Sequence, residues 1–209
     1  MKATRSATRT LLGLFTAAAL PALALSACGN ADGAGSSGGS GASATDRGGG
    51  AGGQGSAQAA TLDTARATFA GTGGQQIGSA TLIGTPHGVL VHADLEDFPP
   101  GTHGFHLHET GSCSPDFTAS GGHFNPHGTG HGFFDPKGRH VGDLPNIHVP
   151  ESGSLEIEYL ADLATLGEGE AALLDDDGAA IVVHQGGDDY RTDPAGAGGE
   201  RIACAVIRG

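Results

Sequence analysis

Seven short segments between residues 66 and 207 show a period of two or β-branched content, and they leave little room for anything but a β protein. They are "RATFA" (66–70), "GSATLIG" (78–84), "GVLVHADL" (88–95), "GFHLHE" (104–109), "SLEIEYL" (154–160), "AAIVVH" (179–184) and "RIACAVI" (201–207). Side chains alternate faces along a strand, so alternation or β-branched content over such lengths marks strands. Turn residues separate them, as in "TPHG", "FPPG", "DDDG" and "DPAGAGG". No window longer than ten residues carries a convincing helical period, apart from an apolar N-terminal run. The pattern indicates an antiparallel sandwich or small barrel. Residues 110–146 break the rhythm, with Gly, Pro, Asp and His but almost no strand signal, and a second irregular loop spans 185–200. Loops that long inside a compact domain are uncommon and usually functional or disordered.

The first of these loops carries histidine. The chain has eleven, all within residues 61–209. His87, His92 and His148 stand alone and read as satisfied or exposed polar groups. "HGFHLH" (103–108) is different. On a strand, Phe105 and Leu107 turn to the core while His106 and His108 project together from the outer face. On a helix the same pair would diverge. His103 shares the face of Phe105 and Leu107 in a regular strand, so it is expected to be a buried, hydrogen-bonded structural residue. The long loop adds His123, His127, His131, His140 and Asp143, and His184 closes a strand. Imidazole suits copper and zinc, and a carboxylate in a histidine set suits zinc. These are too many donors for one tetrahedral site, so two adjacent metals are the simpler reading. A histidine-rich metal buffer would not need donors at such structured positions.

The N-terminus reads as a targeting segment. Lys2, Arg5 and Arg9 precede the apolar core "LLGLFTAAALPALAL" (11–25), which is too short and too alanine-rich to favour a spanning helix. The boundary "LSAC" (25–28) resembles a bacterial lipobox, which implies removal of residues 1–27 and lipidation of Cys28. More than one acyl chain gives stable anchoring. Residues 28–60 are Gly/Ser/Ala-rich and read as a flexible tether. The expected location is extracytoplasmic, on the bacterial cell membrane. The domain at 61–209 holds 21 acidic and six basic residues, a formal charge of −15. Such a surface should repel nucleic acid and anionic lipid. With Cys28 taken by lipid, Cys113 and Cys204 remain, and an oxidising compartment should pair them. A bridge closing about 90 residues is worth roughly 4–5 kcal/mol on the chain-entropy account.

Five blocks, "HGFHLHE", "GGHFNPHGTGHG", "GRHVGDLPN", "VVHQGGDD" and "GGERIACAVIRG", resemble copper/zinc superoxide dismutase in order and spacing. The resemblance covers essentially all of residues 61–209. It implies an eight-stranded Greek-key barrel with two long functional loops, and copper and zinc as cofactors. His106, His108 and His184 match copper ligands, and His123 matches the histidine shared by both metals. His131, His140 and Asp143 match the other zinc ligands. Asp188 matches the carboxylate that joins a copper histidine to a zinc histidine, and Arg201 the arginine beside copper. Cys113 and Cys204 match the family disulfide. His127 has no counterpart in that set and reads as a loop residue. Lysine that eukaryotic members carry for steering in the second loop is missing: "HQGGDDYRTDPAGAGGE" has Arg191 as its only cation, and Glu200 directly precedes Arg201.

The implied activity is dismutation of superoxide to oxygen and hydrogen peroxide by Cu(II)/Cu(I) cycling, at a copper bridged to a structural zinc. The protein would act as a monomer or homodimer. A degenerate, copper-storing relative would lack ligands or the arginine, and a zinc hydrolase would leave half the histidines idle and lacks an "HExxH" motif. His131, His140 and Asp143 together disfavour a copper-only subclass.

Overall fold

The computed structural model describes residues 63–209. The expected signal (1–27), Cys28 and the tether (28–60) lie outside the described residues. Nine strands follow in chain order: β1 (Thr64–Gly71), β2 (Gln76–Thr85), β3 (Gly88–Leu95), β4 (Gly101–His103), β5 (Phe105–His108), β6 (Ile147–Val149), β7 (Leu155–Ala161), β8 (Ala180–His184) and β9 (Arg201–Val206). Seven of them make one curled antiparallel sheet in the order β5-β8-β9-β1-β2-β3-β7, and β4 pairs with β6 separately. The all-β antiparallel class stands, with nine strands among the described residues where eight were implied. The pair β4 and β6 has three residues per strand, too few to show a period.

The alternation does what it should. β1 buries Ala65, Ala67 and Phe69, and β3 buries Val89, Val91, Ala93 and Leu95. Phe69 and Phe105 lie at the centre of the core, Phe69 edge-on to Phe98 with ring centroids 6.4 Å apart. Full burial of such side chains contributes about 1.5–3 kcal/mol each. Truncating Phe105 to Ala would cost about 3–5 kcal/mol.

The two ends of the sheet differ. At the β3–β7 end the outer face is polar and solvated, with Glu156 and Glu158 exposed. At the β5–β8 end both faces are covered, and every residue of β5 and β8 is buried. Ile181 and Val183 enter the main core, while Ala180 and Val182 pack with Cys204, Cys113 and Phe117 under the long loop. That double burial explains why "AAIVVH" reads as a continuous apolar run.

The long loop also clads the free edge of β5. Leu107 N donates to Gly142 O at 2.9 Å, Phe124 N to Leu107 O at 2.9 Å, and Glu109 N to Gly122 O at 3.1 Å. Single bridges set His106 beside Asp143 and His108 beside His123. A Cβ at Gly142 would collide with the Leu107 carbonyl, so only glycine allows this approach. The segment that looked structureless is therefore held against the strand that carries the histidine pair.

Candidate metal centre

His106 and His108 share one face of β5, as their spacing predicts, but that face is not open to solvent. Both are fully buried beneath the loop. His103 is buried too, by a different route from the one expected. Gly104 interrupts the strand, and His103 lies on β4 with both ring nitrogens against carbonyls, Nδ1 at 2.9 Å from His184 O and Nε2 at 2.9 Å from Pro99 O.

Two donor clusters form, each with its donor atoms within 4.8 Å of one another: His106, His108, His123 and His184, and His123, His131, His140 and Asp143. All are buried, and His123 belongs to both. Its ring lies 4.1 Å from that of His106 and 5.1 Å from that of His131, centroid to centroid. His127 stands outside, exposed, with Nδ1 4.0 Å from Glu170.

Five of the six rings, all but His140, have one nitrogen engaged and one left over. His106 Nε2 bonds Asp188 Oδ2 at 2.9 Å, His108 Nδ1 bonds Gly121 O at 3.0 Å, and His184 Nδ1 faces Gly199 O at 3.3 Å. His131 Nε2 bonds Asp188 Oδ1 at 3.0 Å. The nitrogens without partners are His106 Nδ1, His108 Nε2, His123 Nε2, His131 Nδ1, His140 Nδ1 and His184 Nε2. Buried polar atoms are almost always paired, so six orphans aimed at two points need an account. Two metal ions supply it: the free nitrogens of His106, His108, His123 and His184 converge on one, and those of His131 and His140 on the other, with Asp143. The outward nitrogen of a metal-bound histidine commonly bonds a carboxylate or carbonyl, the pattern found here. The residues fit copper and zinc.

Asp143 occupies the middle of the second cluster. Its Oδ1 lies 2.8 Å from His123 Nδ1, and 3.1 and 3.3 Å from His131 and His140 Nδ1, the latter two poorly aligned for hydrogen bonds. Its Oδ2 accepts from Gly132 N at 2.8 Å and His140 N at 3.1 Å. Burial alone would raise the pKa of this carboxyl, but the surrounding imidazole and backbone donors hold it well below the carboxylate range. Asp188 is held down in the same way against its own burial, by His106 and His131.

Burial dominates the imidazoles of the first cluster. It lowers His106 to about 3, His108 to about 2 and His184 to about 4, and it lowers His123 as well. These rings are neutral at physiological pH, the form that ligates metals. His131 goes the other way: burial disfavours its charge, but Asp143 and Asp188 on opposite sides raise it to about 9.

Arg201 opens β9 and pairs with His184 across a register shift. Its Nη1 donates to Phe117 O at 2.7 Å and Ser120 Oγ at 2.9 Å, and its Nη2 to Gly121 O at 2.7 Å. Gly121 O also receives His108 Nδ1, so the guanidinium and a candidate copper ligand share one anchor. Arg201 lines an open pocket of about 670 Å³ together with Glu200, Asp116, Phe117 and Cys113. Arg191, the one cation of the second loop, stacks 4.5 Å above the Phe134 ring. Cys113 and Cys204 form a disulfide across 91 residues, with Cα atoms 5.9 Å apart, tying the loop to β9 beside these anchors.

Sequence reasoning missed two supporting residues. Ser120 is fully buried and accepts from Arg201. Asn146 holds the backbone of Asp188 from both sides, Nδ2 donating to Asp188 O and Asp188 N donating to Asn146 Oδ1, each at 2.8 Å. Neither has a spacing signal; the only pointer was their position within or beside the long loop.

Residues 76–207 match the family described as copper/zinc superoxide dismutase. The chain is 45% identical over 147 residues to "Superoxide dismutase [Cu-Zn] 2" of Aquifex aeolicus, an alignment spanning 69% of this chain and 86% of the relative. It is 42% identical over 139 residues to "Superoxide dismutase [Cu-Zn]" of Caulobacter vibrioides, covering 65% and 80%. Among solved structures it resembles the Cu/Zn superoxide dismutase from Brucella abortus, with a TM-score of 0.59, 30% identity, and coverage of 70% of this chain and 100% of that one.

Proposed function

The chain belongs to the copper/zinc superoxide dismutase family, and from that premise we propose that its domain converts two superoxide anions and two protons to oxygen and hydrogen peroxide. Copper is assigned to His106, His108, His123 and His184, and zinc to His123, His131, His140 and Asp143. The observation that carries this reading is the set of six unpartnered ring nitrogens, sorted into two clusters that share His123. Bound copper would supply a one-electron couple for the exchange between two superoxides, and bound zinc would add charge without redox chemistry.

The chain's own groups do the rest. Arg201 presents a fixed cation to an incoming anion, oriented by three acceptors that leave its guanidinium little freedom. His123 is the residue placed to hold a proton near the substrate, at Nε2, since its Nδ1 faces Asp143. Asp188 fixes the rings of His106 and His131 in one tautomer and orientation. Glu200 and Asp116 beside Arg201 oppose anion approach, so attraction is local to the guanidinium. Ahead of this domain, residues 1–27 serve as an export signal, Cys28 carries lipid, and 28–60 form the tether to the membrane; Cys28→Ala would move the protein to the soluble fraction, and unchanged membrane retention would refute the anchor.

The test is metal content with activity on purified protein. One copper and one zinc per chain, with superoxide consumption lost on copper chelation, are expected. A fully metallated protein without activity would replace this reading with metal storage. Arg201→Ala should slow turnover by tenfold or more while copper content holds, since an oriented charge at a reacting anion is worth that much or more.

A further inference from the structure

A third donor cluster lies at the opposite end of the sheet, on the solvated face of β3 and β7. His92 and Asp94 alternate on β3, and Glu158 and Glu156 are their direct cross-strand partners on β7. His92 Nε2 lies 3.4 Å from Asp94 Oδ2 and 3.8 Å from Glu156 Oε1, and the three donor atoms fall within 4.8 Å of one another. Bonds of about 2.0–2.2 Å in a tetrahedron separate ligand atoms by roughly 3.3–3.6 Å, so the two edges from His92 already lie near ligand spacing. The other ring nitrogen, Nδ1, faces Glu158 Oε1 at 3.6 Å. A carboxylate behind the outward nitrogen is what orients a metal-bound histidine, and this one stands apart from the ligand triangle.

The sheet offers these carboxylates no cation. Asp94 directly opposes Glu156, a destabilising like-charge pair. On the other side β2 presents Ser79 and Thr81, and the next charge in the row, Arg66, is two strands from His92. β7 ends the sheet. We propose that His92, Asp94 and Glu156 bind a divalent transition cation, with Glu158 orienting the imidazole. One nitrogen and two carboxylate oxygens suit zinc(II) or copper(II), and the fourth position stays open to water. The site is separate from the buried pair: it shares no residue with either cluster, and its side chains stand on the solvated face while theirs are buried.

The test uses protein already loaded with copper and zinc, titrated calorimetrically with zinc(II). One further equivalent is expected. His92→Gln should abolish it while both buried metals and the dismutase rate are unchanged, because His92 lies outside that centre. Asp94→Asn should weaken it at least tenfold, and Glu158→Gln about tenfold with the stoichiometry kept. No further equivalent in the unaltered protein overturns the proposal. So does an equivalent that survives His92→Gln, which would be ligation elsewhere or diffuse attraction to an acidic surface. Displacement of the zinc by equimolar magnesium also overturns it, since a hard cation prefers oxygen ligands and does not need the imidazole.

Discussion

His131 is clamped between two carboxylates, Nδ1 3.1 Å from Asp143 and Nε2 3.0 Å from Asp188. Without metal it holds a second proton up to about pH 9. Ligation through Nδ1 requires that proton to leave, because a metal needs the lone pair. Zinc binding to metal-free protein at about pH 7.5 should therefore release close to one proton from His131, falling toward zero above pH 9. An indicator dye in weakly buffered solution reads this directly, and release independent of pH across that range would remove His131 from the account. At this scale the ligands were legible and their supports were not. His106 and His108 declare themselves because the period of a strand puts two imidazoles on one face, and the family blocks place the others. Ser120 and Asn146 are ordinary polar residues whose roles arise only when distant segments meet, such as Arg201 against Ser120. No local pattern encodes that.

Strands of five or more residues were visible because each has one face, or both, in the core. β4 and β6 were not, with three residues each, and neither was the break at Gly104 that moves His103 onto another strand. The loop at 110–146 showed its chemistry but not its shape, because its order comes from backbone bonds to β5 and from the disulfide. The Cys113–Cys204 bridge fastens the segment leading to Phe117, Ser120 and Gly121, which are the acceptors that orient Arg201. Replacing both cysteines by serine should lower unfolding free energy by about 2–5 kcal/mol in denaturant melts. The same variant should lose activity per bound copper, since its Arg201 anchors are freed. Activity per copper equal to that of the parent would show that the backbone bonds along β5 hold the loop without the bridge.

The whole molecule gathers opposing proton linkages, and metal decides which of them survives. In metal-free protein His106, His108 and His184 sit near 3, 2 and 4, against about 6.5 in an unfolded chain. Between about pH 4 and 6.5 the unfolded state therefore binds more protons, and stability falls as pH drops, by up to about 1.4 kcal/mol per pH unit for each ring. Asp143 and Asp188, both depressed, add a loss below the ordinary carboxylate range. His131 has the opposite sign. Raised to about 9, it contributes stability that is complete below about 6.5 and disappears as pH rises through 9. Metal-free protein should thus be most stable near pH 6.5 and weaken on both sides. In metal-loaded protein His131 has already surrendered its second proton, so between 6.5 and 9 neither the folded ring nor the unfolded one titrates appreciably. The alkaline decline should then vanish. Thermal melts of both forms from about pH 5 to 9.5 check this, and a metal-free profile flat above 6.5 would contradict the two-carboxylate clamp on His131.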